Sequence, residues 1–162
     1  MTRETEALLT QQAQWLQSFP QMGGTTKLID VDITVGASAY SAGDCINRTQ
    51  EILNSVRKKG GSGVITSIEL ISNLAVQDIK VFMFNSLVPT PGDNVAFAPT
   101  LEEMATAIPL ADDGASVNLS TWETVGTRYI SSKSNINAPF NAGTEDEGIY
   151  ILLVANGTFT YS

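Results

Sequence analysis

The residues able to carry chemistry are few, and their spacings fit little of it. The chain contains no histidine, which removes Ser-His-Asp and Cys-His catalysis, His-containing zinc sites and histidine pH switches together. Cys45 is the single cysteine. It can form neither an intrachain disulfide nor a Cys-rich metal site, and it reads as a small buried apolar residue. Ser55-Val56-Arg57-Lys58 has the S-x-x-K spacing of penicillin-recognising enzymes, but the companion Ser-Asp-Asn and Lys-Thr-Gly elements are absent, so it reads as a solvated strand end. Gly60-Gly61-Ser62-Gly63 lacks the Gly-Lys-Ser/Thr ending of a phosphate-cradling loop and precedes a strand, not a helix. It reads as a hairpin or crossover loop.

The carboxylates fall in three groups: Asp30/Asp32, Asp112/Asp113 and Glu145-Asp146-Glu147. Asp30 and Asp32, two apart on a strand, share its exposed face, where a cation could bridge them, but no EF-hand spacing is present. The other two groups lie beside turns and read as solvated faces, so no carboxylate pair for acid–base hydrolysis is predicted. Asn47-Arg48-Thr49, Asn118-Leu119-Ser120 and Asn156-Gly157-Thr158 match the glycosylation tripeptide. With no secretory leader they read as accidents of an Asn-, Ser- and Thr-rich composition. Trp15, Trp122 and Tyr129 are candidates for a sugar-stacking surface, but aromatics spread over one helix and two strands more often divide between core and interface. No catalytic residue, cofactor or metal site is predicted.

Nine basic residues against seventeen acidic ones give 9 − 17 = −8, which leaves no basic footprint for nucleic acid or an anionic membrane. At 162 residues, 43% hydrophobic and 16% charged, the chain suits one globular domain with a substantial core. No apolar run approaches the roughly 20 residues that span a bilayer, and the opening MTRETEALLT is no signal peptide. Neither a membrane nor a secretory route is expected.

The elements that must position these residues are mostly strands. Residues 2–19 read as an amphipathic helix with Leu8, Leu9, Trp15, Leu16 and Phe19 on one stripe, stopped by Pro20 and Gly23-Gly24. Lys27 to Val35 alternates as the clearest strand, and a weaker one is predicted through Cys45 to Val56. Val64 to Ile71 and Ile79 to Asn85 carry apolar groups on both faces, as central strands would. Pro89, Pro91 and Gly92 mark a loop. Thr100 and Glu103 form a capping box opening a short helix to about Ile108, ended by Pro109. Strands follow at Val117 to Val125, Thr127 to Ser131, Ile149 to Ala155 and Thr158 to Tyr161, the last two joined by an Asn156-Gly157 hairpin. The pattern predicts an all-β antiparallel β-sandwich or jelly roll with an N-terminal amphipathic helix and one short internal helix. It divides into a helical arm, 1–24, and a sandwich body, 25–162.

Ala39-Tyr40-Ser41-Ala42-Gly43-Asp44, Gly60-Gly61-Ser62-Gly63-Val64-Ile65, Val81-Phe82-Met83-Phe84-Asn85 and Asp93-Asn94-Val95-Ala96-Phe97 occur in that order. With Gly148 to Val154 and Gly157-Thr158-Phe159-Thr160-Tyr161 they resemble a group of small virion structural proteins of tailed bacteriophages. The resemblance spans about residues 27–161. Members commonly continue one strand beyond the final tyrosine, and the helix of residues 2–19 is not part of the pattern. Both departures fall where a partner could dock, by strand addition or helix-in-groove packing.

The resemblance implies a non-enzymatic capsid decoration (cement) protein, made in the host cytoplasm and placed on the outer capsid surface. Its expected partners are the major capsid protein of a tailed phage and further copies of itself in a trimer, which multiplies weak single contacts. The stripe Leu8, Leu9, Trp15, Leu16 and Phe19 is the expected buried anchor. The alternative is a host-recognition or carbohydrate-binding module, or a tail or neck component, because fold alone does not choose among them.

Overall fold

The computed structural model describes residues 28–33, 39–53, 55–56, 58–72, 78–89, 92–110, 114–142 and 148–160. The chain divides into two units, Met1–Asp30 and Val31–Ser162, and all the described strands and the one described helix belong to the second. The expected helix of residues 2–19 lies outside the described residues.

The elements are β1 (Ala39–Tyr40), β2 (Gln50–Ile52), β3 (Ser62–Ser72), β4 (Ile79–Phe84), α1 (Leu101–Met104), β5 (Ser116–Leu119), β6 (Glu123–Val125), β7 (Arg128–Asn141), β8 (Ile149–Ala155) and β9 (Phe159–Thr160). They form a four-stranded sheet in the order β2-β8-β4-β5, a three-stranded sheet β3-β7-β6 and a two-stranded ribbon β1-β9. Every pairing is antiparallel. The described residues are therefore mostly antiparallel β-structure with one short helix, consistent with the all-β class that the alternating pattern predicts.

The core is built on β4 and β8. β8 has neighbours on both edges and buried side chains on both faces, which is why Ile149–Ala155 reads as an unbroken apolar run. One face of this sheet gathers Cys45, Phe84, Val88, Leu152 and Val154, with Phe82, Phe97, Met104, Ala107 and Tyr150 packed around them. Phe97 meets Phe82 edge-on at a centroid distance of 5.3 Å and Phe84 at 6.3 Å, a geometry aromatic quadrupoles favour. Ile79, Val81, Met83, Ile151 and Leu153 fill the opposite face.

Where the sequence predicts a strand over 45–56, a break occurs at Asn47. Cys45 bridges to Val154, and β2 resumes the ladder with Gln50 opposite Ile151. Between them the Leu153 N–H donates to Asn47 Oδ1 at 2.9 Å, while Asn47 Nδ2 donates to Arg48 O at 2.7 Å and Gln50 Oε1 at 3.2 Å. A buried side-chain amide thus stands in for the missing backbone partner of β8.

The three-stranded sheet departs furthest from expectation. Val64 to Ile71 is not buried on both faces, because Val64 and Ile71 are 56% and 52% exposed. β7 continues ten residues past the expected Ser131, through a Ser-, Asn- and Pro-containing stretch that reads as loop. At the bulge between Ile65 and Ser67, Asn135 to Asn137 oppose the single residue Thr66. Asn135 and Asn137 there adopt φ of 59° and 52°, a left-handed conformation that asparagine tolerates better than most residues.

Other expectations are also revised. Residues 28–33 join no ladder, although Gln50 Nε2 donates to Asp32 O at 3.2 Å. Alternation shows only that a segment is extended with one face inward. The expected strand 117–125 splits into β5 and β6, which belong to different sheets. The Thr100–Glu103 capping box forms, but the helix ends at Met104 because Ala107 bridges to Phe84 and the Ile108 N–H donates to Met83 O at 2.8 Å. β8 and β9 form no hairpin with each other; after Asn156-Gly157 the chain leaves for β1.

Asn47→Ala removes three hydrogen bonds from a buried position and orphans the Leu153 N–H, so it should destabilise the protein by about 2–4 kcal/mol. Urea denaturation measures it, and a loss below about 0.5 kcal/mol would refute the ladder-substituting role.

Candidate functional site

The sequence-predicted anchor, Leu8, Leu9, Trp15, Leu16 and Phe19, lies outside the described residues. So do Asp112/Asp113 and Glu145-Asp146-Glu147. Among the described residues no group of three or more Asp, Glu, Cys or His could hold a metal ion.

Candidates with a bland reading find structural work nearby. Ser55 Oγ donates to Ile52 O at 2.9 Å, closing a local turn, and Lys58 is exposed. Gly60 turns the chain at φ 65°. Gly63 lies beneath its cross-strand partner Phe140, whose ring would stand 2.6 Å from any Cβ added there. The glycine run thus serves a turn and an aromatic-over-glycine contact. Asn47, first residue of a glycosylation tripeptide, is buried with its amide fully used. Trp122 and Tyr129 are both half-buried, and Trp122 Nε1 is buried without a hydrogen-bond partner among the described residues.

Cys45 is buried, as expected. Burial, reinforced by the Asp44 and Asp93 carboxylates, pushes its thiol up to about 11. That is the opposite of an activated nucleophile, and it marks Cys45 as a packing residue. Nearby, Tyr40 Oη donates to Asp93 Oδ1 at 2.6 Å, and the Tyr40 ring lies 5.5 Å from that of Phe159.

Two surface features remain. The first is the outer face of β3-β7-β6. At the bulge both long strands exchange the faces they bury: Gly63 and Ile65 point inward before it, Ile68, Leu70 and Ser72 after it. The exchange leaves Val64, Glu69 and Ile71 exposed on β3. Across the strands Val64 faces Pro139, and Ile71 faces Ile130, which faces Glu123. Val125, 58% exposed, adds an apolar group at the hairpin end opposite Arg128. The sequence signals this surface through apolar residues on both faces, but periodicity cannot distinguish a doubly buried strand from one with an apolar outer face. The second feature is a shallow groove of about 380 Å³ where β5 meets β7, lined by Asn118, Leu119, Ser120, Thr121, Ser131, Ser132 and Lys133.

No family model, curated protein or solved structure matches the chain. No helix among the described residues is long and apolar enough to cross a membrane.

The Cys45 thiol gives a test of its packing role. Its folded value lies above its ordinary 9.0, so the fold favours the neutral form. Its contribution is complete below about pH 9 and is lost as pH rises toward 11. Over that window the unfolding free energy should fall by about 2 kcal/mol more than in Cys45→Ala. Parallel pH–stability curves for the two proteins would contradict it.

Proposed function

We propose that the chain is a non-enzymatic structural protein of a tailed-phage virion, a decoration (cement) protein that binds the major capsid protein on the outer head surface as a trimer. In this reading the four-stranded and three-stranded sheets are the two layers of a jelly-roll-like sandwich. The stripe Leu8, Leu9, Trp15, Leu16 and Phe19 supplies an anchoring arm.

The observation that carries the reading is the apolar outer face of the β3-β7-β6 sheet, on which Val64, Ile71 and Val125 are each more than half exposed. Large β-branched side chains left facing solvent at both ends of one sheet face favour a partner that covers them. Val64 with Pro139 stands at one end of that face and Ile71, Ile130 and Val125 at the other, with Glu69 between them on β3 and Glu123 and Arg128 beside the second group. The ordered resemblance over residues 27–161 supports a virion component specifically, and the thiol chemistry of Cys45 argues against its use as a nucleophile.

Binding to purified particles lacking the protein tests this. Val64→Lys/Ile71→Lys should weaken binding by about tenfold or more, because charges then replace apolar contact area. Its melting temperature should stay close to wild type, since both sites are exposed. Removing residues 1–20 should also reduce incorporation and shift the light-scattering mass from trimer to monomer. Full incorporation of both variants would reject the reading.

One observation favours a second reading, recognition of host-surface carbohydrate. The groove between β5 and β7 presents four hydroxyls, an amide and an ammonium group, a lining suited to polyols, and its residue Thr121 is followed in the chain by Trp122. A glycan array separates the two readings: the decoration protein binds no glycan above background, and a selective signal abolished by Trp122→Ala would favour carbohydrate recognition.

A further inference from the structure

Asn156-Gly157 connects β8 to β9 and carries a reactivity that neither strand requires. Asn156 is the one asparagine in the sequence followed by glycine. Both residues lie in a bend outside every ladder and are half-exposed. The Asn156 N–H is tied to Asp78 O at 2.9 Å. Among the described residues, no hydrogen bond holds its side-chain amide or the Gly157 N–H. Among the described residues, a Cβ built on Gly157 would meet no atom within 4 Å, which leaves open space at that residue for its peptide nitrogen to approach the Asn156 side chain.

We propose that Asn156 is a site of spontaneous deamidation. The Gly157 nitrogen, after losing its proton to solvent base, bonds to Asn156 Cγ. The Cγ–Nδ2 bond breaks, and Nδ2 leaves as ammonia with a proton from water. The resulting five-membered succinimide is opened by water at either carbonyl, giving aspartate or isoaspartate at 156. No oxidant or reductant is involved, and the net charge moves from −8 to −9.

Other asparagines are held against this step. The Asn47 amide makes three hydrogen bonds in a buried position, and Asn141 Oδ1 accepts from Ser62 Oγ at 2.6 Å. The isoaspartate product has a structural consequence. It inserts one extra main-chain carbon between β8 and β9, three residues before Phe159, whose ring rests against Tyr40. The β1-β9 ribbon is two residues long and has little ladder to absorb the displacement.

The test ages the full-length protein in mildly alkaline buffer and follows each asparagine by peptide mapping and isoaspartyl methyltransferase labelling. Conversion should occur first at Asn156, as a mixture of aspartate and isoaspartate, several-fold faster than at any other asparagine. Gly157→Ala has room for its methyl group and no positive φ to strain, so it should fold as wild type and convert several-fold more slowly. Asn156 remaining intact while another asparagine converts, or an unchanged rate in Gly157→Ala, would overturn the assignment.

Discussion

β8 imposes the central constraint on this body. Its seven residues, Ile149–Ala155, are bordered on both edges and buried on both faces, so every backbone donor and acceptor must find a partner inside the protein. β4 supplies a complete ladder on one edge, from Ile79–Ala155 to Phe84–Tyr150. The other edge is covered piecemeal. Gly43 to Ile46 serves Ala155 and Leu153, Asn47 serves the Leu153 N–H through its side chain, and β2 serves Ile149 to Ile151. The loop at 93–97 then closes on the first of these pieces, with Cys45 N–H donating to Val95 O and Asn94 N–H to Cys45 O at 2.9 and 2.7 Å. Cys45 is held between β8 and this loop, and its burial follows from that place in the ladder.

The three-stranded sheet works under a different constraint. Among the described residues, β7 beyond Ile130 pairs on one edge only, with β3, because β6 starts at Glu123 opposite Ile130. Two features blunt the remaining edge: the bulge at Asn135 to Asn137, and Pro139, which has no N–H to offer a further strand. The proposed use of this sheet is therefore through its outer face, where Val64 and Ile71 stand, and not through edge pairing. The same bulge that interrupts the edge lets Ile136, Ala138 and Phe140 turn inward after Ser131, so one irregularity shapes both surfaces.

What could be read from the residues follows from how local each signal is. The β4 and β8 strands are legible because burial on both faces writes a continuous apolar run, and the Thr100–Glu103 box because capping needs only residues three apart. β7 is illegible past Ser131 because Ser, Asn and Pro are the residues of loops, and only pairing with β3 makes them a strand. Asn47 carries no local mark of its role, since the N–H it satisfies lies 106 residues away. Asn156-Gly157 misleads in the other direction. It is a strong hairpin signal, yet β8 already has neighbours on both edges, leaving no position where β9 could pair.

That last point also explains why the C-terminal segment is attached as it is. β9 does not pair with β8, whose two edges are taken, and β1 receives it instead, with Ala39 opposite Thr160 and Tyr40 opposite Phe159. Two pairs make a marginal ladder, so side chains must hold it: the Tyr40 and Phe159 rings, both buried, and the Tyr40 hydroxyl on Asp93. Asp93 belongs to the loop whose next residues bond to Cys45. The C-terminal ribbon is thereby tied to the edge of β8 from which the Asn156-Gly157 bend releases it, and the connection between them runs between two anchored ends. Among the described residues no atom lies within 4 Å of where a Gly157 side chain would begin, and a residue with no side chain there leaves Asn156 beside a peptide nitrogen that no Cβ shields.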